Sequence, residues 1–419
     1  MKYISLNENE MWFGKTPNHW EIKRIGQLYR ERKVKVSDKD YPPLSVTMKG
    51  IIPQMEHAAK TDAHDDRKLI LKGDFVINSR SDRRGSCGIS SFDGSCSLIN
   101  TVLVPRKAMN PKYYNWFFHT IRFAEEFYRW GHGIVDDLWT TNYDEMKRIF
   151  LPVPTMEEQE KISVYLDVKC ASIDEAINRH KSLIDKIENH KRGYIISSIM
   201  GIRPNRKLKD SNIVWMPKIP NEWEVIHFRF VFGERKHKNA GLIEKNLLTL
   251  SYGKIKRKDI NSNEGLLPAS FEGYNIVEKG DIVMRLLDLQ NDWNSLRTGL
   301  VTERGIVTSA YVTLYPKREL NSAYFRYLLH SYDLKKVFYT MGEGIRQSLK
   351  YDDIGRNLLI PIPSMEEQNE IVSAIKEVET KSDMAIARHQ QIIEKLEEYR
   401  KSIIYNAVTG KIDCRGYKC

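Results

Sequence analysis

The chain is poor in cysteine, with five in 419 residues: Cys87, Cys96, Cys170, Cys414 and Cys419. That odd number, with no Cys-x-x-Cys pair and no Cys/His cluster at zinc spacing, argues against a disulfide scaffold and a zinc module. It points to a reducing, cytoplasmic setting. No apolar run approaches the roughly 20 residues of a membrane span, so no place in a membrane is expected. The opening MKYISLNENEMWFGK lacks the apolar stretch and small-residue cleavage site of a signal peptide. Catalytic motifs are missing as well. There is no Asn-Pro-Pro-aromatic segment, no glycine-rich nucleoside loop and no Walker lysine loop. Gly131-His-Gly133 and Gly342-Glu-Gly344 lack the spacing of a phosphate loop and read as tight turns after a helix. The pairs Asp65-Asp66, Asp136-Asp137 and Asp352-Asp353 read as caps or turns, and Glu157-Glu158 and Glu366-Glu367 as helix starts rather than acid/base dyads. No catalytic residue, cofactor-binding residue or metal ligand is expected on this chain.

Positive charge is present in excess. Lys and Arg number 66 against 55 Asp and Glu, a formal charge of +11 with pI ≈ 9.1. The apolar share of 41% and charged share of 29% are those of a soluble globular protein. Such a balance favours a polyanion partner, nucleic acid ahead of an anionic membrane surface.

The chain is also written twice. Trp12-Phe-Gly-Lys-Thr-Pro-Asn-His-Trp-Glu21 matches Trp215-Met-Pro-Lys-Ile-Pro-Asn-Glu-Trp-Glu224. Glu31-Arg-Lys33 returns as Glu234-Arg-Lys236, and Lys72-Gly-Asp-Phe-Val76 as Lys279-Gly-Asp-Ile-Val283. Leu151-Pro-Val-Pro-Thr-Met-Glu-Glu-Gln159 returns as Ile360-Pro-Ile-Pro-Ser-Met-Glu-Glu-Gln368. The copies stand 203 to 209 residues apart, far beyond the roughly 20 to 50 of a solenoid repeat. That distance is a domain plus a helix. Stretches 45–100 and 249–300 match only in short islands. A duplication that keeps its frame and diverges in between suggests one architecture serving two targets.

Each Pro-x-Pro is extended and ends where a helix begins. Thr155 and Ser364 stand as N-caps, with Glu158 and Glu367 at capping-box spacing. A 4-3 register follows. In the first copy it reads Ile162, Leu166, Lys169, Ile173, Ala176, His180, Leu183, Ile187, His190 and Tyr194. In the second it reads Ile371, Ile375, Val378, Ser382, Ala385, His389, Ile392, Leu396, Tyr399 and Ile403. About 40 residues at 1.5 Å each make rods of roughly 60 Å with a coiled-coil seam. The natural partner of each seam is the other, paired antiparallel about a pseudo-two-fold axis. His180 and His389 hold equivalent seam positions. They either meet near that axis and fix the register, or sit partly solvated at the seam edge.

The predicted fold is therefore mixed α+β. Two tandem α/β domains each precede a long helix, and the helices pair as an antiparallel coiled coil. Residues 1–150 form the first domain and 151–200 its helical region, followed by a linker at 201–214. Residues 215–359 form the second domain and 360–410 its helical region, followed by a tail at 411–419. Strands are expected at Phe75–Ile77, Ile99–Val104, Ile282–Met284 and Tyr311–Tyr315, and helices over Pro111–Trp130 and Asn321–Tyr339. Basic residues gather where the copies diverge: Lys49, Arg80, Arg83, Arg84 and Lys147, then Lys254, Lys256, Arg257, Arg285, Arg297, Arg346 and Lys350. As a set they point to DNA contacts, because Lys and Arg neutralise phosphates and Arg also reads guanine.

In its twice-written Pro-x-Pro-x-Met-Glu-Glu-Gln with a long helix behind it, the chain resembles the specificity subunits of type I restriction-modification systems. Trp20-Glu21 and Trp223-Glu224, the two Gly-Asp pairs and Ala407-Val-Thr-Gly-Lys-Ile-Asp413 carry the resemblance over almost the whole chain. It implies two target recognition domains, each reading one half of a bipartite, asymmetric site on double-stranded DNA. It implies that the helices space the half-sites and dock two methyltransferase (modification) subunits, with restriction/translocase subunits joining in the full complex. S-adenosylmethionine, ATP and Mg would sit on those partners and not here. Gly193 departs from the pattern, with Ser402 as its counterpart, so that helix end is expected to fray or bend. Two other readings stand: a stand-alone DNA-modifying enzyme, and a coiled-coil scaffold that does not bind DNA.

Overall fold

The computed structural model describes residues 11–417 apart from 55–64, 81–83, 134–138, 261–267, 269, 292–295 and 342–347. The chain divides into two units. One holds Met1–Lys181 with His389–Cys419, and the other holds Ser182–Arg388. Each unit thus contains one domain, the start of the helix that follows it and the end of the other long helix. Among the described residues no helix is long and apolar enough to cross a membrane.

The domain of the first unit is built on a four-stranded antiparallel sheet, in the order Tyr29–Glu31, Asn100–Pro105, Phe75–Asn78, Cys87–Ile89. The second unit repeats it with Phe232–Glu234, Val312–Pro316, Ile282–Met284 and Thr298–Leu300. The central strands Phe75–Asn78 and Ile282–Met284 are buried throughout, so they read as continuous apolar runs. Each domain closes with a strand, Phe150–Val153 or Leu359–Ile362, paired to the strand that starts on the glutamate of the Trp-Glu segment, Glu21–Arg24 or Glu224–His227. Those closing strands carry the first proline of each Pro-x-Pro. Both domains also carry a two-stranded hairpin packed on the neighbouring strands, Leu44–Thr47 with Gly50–Pro53 and Leu248–Ser251 with Lys254–Arg257.

The aromatic helices differ from the sequence expectation. The stretch 111–130 is two helices, Pro111–Phe118 and Ile121–Arg129, because Thr120 turns the chain and caps the second by accepting from Phe123 N. The stretch 321–339 is the helix Ser322–Leu334, followed by a 3-10 turn at Val337–Met341. Lys336, with φ 59°, breaks the path between them.

The long helices span Met156–Ile199 and Met365–Val408, 44 residues each, or about 66 Å at 1.5 Å per residue. In the first unit Asp174 pairs with Arg400 and His180 with His389, so rising numbers on one helix meet falling numbers on the other. In the second unit Lys191 pairs with Asp383, and Arg203, just past the first helix, with Glu370. The helices are therefore antiparallel in both. His180 Nδ1 and His389 Nδ1 lie 2.8 Å apart, one ring donating and the other accepting. The two histidines do meet.

Of the seam residues, Ile162, Leu166, Ile173, Ile371 and Ile375 are buried, and His180, Ile187, Val378, His389 and Leu396 are half-buried. Lys169, His190 and Tyr399 face solvent instead. The buried stripe of the first helix runs Ile162, Leu166, Cys170, Ile173, Ile177. It takes a second four-residue step at Cys170, where a strict 4-3 alternation lands on Lys169. Gly193 does not break its helix. A Cβ there meets nothing within 4 Å, so the glycine costs roughly 1 kcal/mol relative to alanine and no geometry.

Candidate nucleic-acid interface

The repeated motifs turn out to be internal anchors. Glu158, three residues after the Thr155 N-cap, accepts from Thr155 N at 3.2 Å while its own N–H donates to Thr155 Oγ1, completing the capping box. The same carboxylate accepts from Trp20 Nε1 at 3.2 Å and bonds His19 Nε2 at 2.8 Å. In the second unit Glu367 accepts from Trp223 Nε1 at 2.7 Å and from Arg206 Nη2 at 3.0 Å. Ser364 caps Glu367 N there, but the Glu367 carboxylate is spent on Trp223 and Arg206, so only half of the box is made. The glutamine of each motif bridges to the next element. Gln159 accepts from Asn110 N at 3.0 Å and Gln368 from Asn321 N at 2.9 Å, and both asparagines cap aromatic helices. Arg32 forks onto buried Asp74 at 2.8 and 3.0 Å, and Arg235 forks onto buried Asp281. Gly73 and Gly280, at φ 92° and 96°, make the turns that aim those aspartates.

Burial opposes ionisation of Glu158, but the hydrogen bonds from His19, Trp20 and Thr155 outweigh it and hold the carboxyl below its usual 4.5. A depressed folded pKa means that the unfolded chain takes up the proton first. The stabilisation is then complete above pH 4.5 and is lost as pH falls through the lower folded value. Glu158→Gln is expected to flatten the stability of the first unit against pH below 4.5. An acid limb as steep as that of the unaltered protein, measured by denaturant titration, would count against this anchor.

The carboxylates are occupied, and burial pushes the Cys87 and Cys96 thiols up to about 12, out of the nucleophilic range.

The candidate DNA-contacting residues separate into classes. Lys49 is exposed at the tip of the first hairpin, and Lys254 and Lys256 are exposed along one strand of the second. Arg257, on the same strand, is exposed but forks onto Glu303. Arg80 and Arg285 are exposed just past the central strands, at Arg80 beside the bridge to Thr140. The Arg84 guanidinium lies 3.5 Å over the Tyr128 ring, its charge still exposed. Lys147 is half-buried and pairs with Asp144. Lys350 is exposed and starts the helix Tyr351–Asn357, its N–H donating to Asp353 at 2.7 Å. Arg83 and Arg346 lie outside the described residues.

Arg297 has to be removed from the set. It is 1% exposed, donates to the carbonyls of Arg285, Leu287 and Asp288, and faces buried Asp333 at 3.9 Å. It is an internal staple, and a buried guanidinium reaches no phosphate. Sequence reasoning missed the hairpins as a pair. The one turn residue near each loop is a glycine, Gly50 after Met48-Lys49 and Gly253 within Tyr252-Gly253, and neither loop carries the Asn-Gly or Asp-Gly pair that marks a hairpin.

No family model matches the chain. The putative type I restriction enzyme MjaX specificity subunit of Methanocaldococcus jannaschii is 23% identical over 438 residues, covering 98% of this chain and 97% of that one. The type I restriction enzyme MjaVIII specificity subunit of the same organism is 22% identical over 437 residues, with the same coverage. Among solved structures, a chain from work on complex assembly and conformational transition of the type I R-M system superimposes with TM-score 0.70 at 13% identity, covering 95% of this chain and all of that one. The HsdS subunit from Thermoanaerobacter tengcongensis superimposes with TM-score 0.54 at 13% identity, covering 95% and 98%. Over nearly its whole length, this chain is a homologue of type I restriction enzyme specificity subunits and has their fold.

Proposed function

We propose that the chain is the sequence-specific DNA-binding subunit of a type I restriction-modification complex, and is itself non-catalytic. One observation carries this reading. What the two copies share in sequence is buried scaffold, and where their sequences diverge, in a hairpin that both carry, Lys49, Lys254 and Lys256 are exposed. Each domain reads one half of a bipartite, asymmetric site on double-stranded DNA. The long helices, each contributing residues to both units, set the distance between the halves and dock two methyltransferase subunits. Restriction/translocase subunits join in the full complex. S-adenosylmethionine, ATP and Mg act on those partners, and the assembly works in the cytoplasm.

The test is DNA affinity against salt for the chain assembled with its methyltransferase subunits. With five or so phosphates neutralised, log K falls against log salt with a slope of about −4 to −5. A flat dependence favours the scaffold reading. Methylation or cleavage of DNA by the chain alone, given S-adenosylmethionine or magnesium, favours the stand-alone enzyme.

A further inference from the structure

The two hairpins share more than position. Each has a two-residue loop, Met48-Lys49 between paired Thr47 and Gly50, and Tyr252-Gly253 between paired Ser251 and Lys254. Each buries one face. Leu44, Val46 and Ile51 join one small core, and Leu248 and Ile255 another. Each leaves a large apolar side chain uncovered at the tip, with Met48 71% exposed and Tyr252 78% exposed. Lysines stand beside both: Lys49 in the first, and Lys254 and Lys256 on the outward face of the second, opposite Ser251 and Thr249.

Folding alone does not account for these tips. Tyr252 sits at φ 49° and Gly253 at φ 74°, two successive left-handed residues, where asparagine or glycine is the ordinary choice at the first position. A tyrosine there is strained, because its Cβ crowds the following carbonyl oxygen. With most of its surface in water, it recovers little of that by burial. In the first hairpin Thr47 Oγ1 accepts from Lys49 N and donates to Gly50 O, which fixes the loop and leaves Met48 to project.

The free face suits one target. Each hairpin packs its inner face on the domain, with Gly50 itself buried against Gly88, and leaves its outer face and two-residue loop uncovered. The major groove of B-form DNA is about 8.5 Å deep and admits a two-stranded ribbon. Lysines on the ribbon then face phosphates or guanine edges, and an apolar tip meets the one apolar group on the groove floor, the thymine C5-methyl.

We propose that Met48 and Tyr252 are specificity-determining residues, each tip lying against a thymine methyl in its own half-site. This rests on the DNA-specificity reading above and adds the residues and the base edge. In the assembled complex, replacing thymine by uracil removes only that methyl. At one position in each half the substitution should weaken binding about fourfold, the worth of one buried carbon. Met48→Ala should abolish the preference in one half only, and Tyr252→Asn in the other half only. Asparagine suits the left-handed turn, so the Tyr252→Asn hairpin folds at least as well as the original. Tyr252→Phe should keep the preference. Thymine preferences that survive both variants unchanged, or half-sites indifferent to uracil throughout, would overturn the inference while leaving DNA recognition standing. A complex that binds no bipartite site would remove both readings together.

Discussion

Four residues inserted between Lys181 and Ser182, with four more between Arg388 and His389, should lengthen the gap between half-sites by about two base pairs. The added rise is about 6 Å, and DNA rises about 3.4 Å per base pair. Both positions fall at the division between the two units along each helix. The His180–His389 bond of one unit and the Lys191–Asp383 pair of the other are therefore left intact. Four residues overshoot one turn by about 40°, whereas seven fall about 20° short of two turns and add close to three base pairs. A series of such insertions, each read by selecting bound sites from random DNA, gives gap against helix length. Gaps that stay constant in variants that still bind would remove the spacer role from the helices.

Trp223→Ala should cost the second unit roughly 3–5 kcal/mol. The indole is 1% exposed and belongs to the core formed with Ile195, Ile199, Met216 and Ile371. Gly201, at φ 63°, approaches the ring so closely that a Cβ there would lie 2.4 Å from it. Truncation leaves a cavity in that contact and removes the Nε1–H bond to Glu367. Glu367 keeps Arg206, so the loss is mainly of packing rather than of an unpaired charge. Trp20→Ala should cost the first unit less, because Trp20 is 8% exposed and its bond to Glu158 is longer. Denaturant unfolding with hydrogen exchange over 195–231 and 360–375 separates the units. A Trp223→Ala loss below about 1 kcal/mol, or below that of Trp20→Ala, would contradict this account of why the Trp-Glu segment is written twice.

Much of this scaffold was legible in the residues. Pro-x-Pro followed by a capping residue marks where a helix starts, whatever packs on it, and both long helices begin one residue after Thr155 and Ser364. Equal register in a duplicated chain placed His180 and His389 at equivalent seam positions but left open whether they meet or stay partly solvated; they meet, and both are half-buried. What was illegible depended on contacts far apart in sequence. That Glu158 and Glu367 would hold the tryptophans, or Arg32 and Arg235 the aspartates, is set by tertiary placement. The seam phase at Cys170 failed because a strict 4-3 alternation ignores a stripe that packs on a domain as well as on a helix. Arg297 failed because charge in a divergent stretch says nothing of depth. The tips at Met48 and Tyr252 are marked by uncovered apolar surface, a property that the distribution of charge in the sequence does not reveal.

The central claim is that two diverged domains read two different half-sites. The most direct measurement is a map of methylated adenines in DNA from cells expressing this chain with its methyltransferase partners. The account predicts one bipartite, asymmetric motif with a fixed gap, in which exchanging the 215–359 domain alters one half and leaves the other. An uninterrupted motif, or a domain exchange that alters both halves, would contradict it.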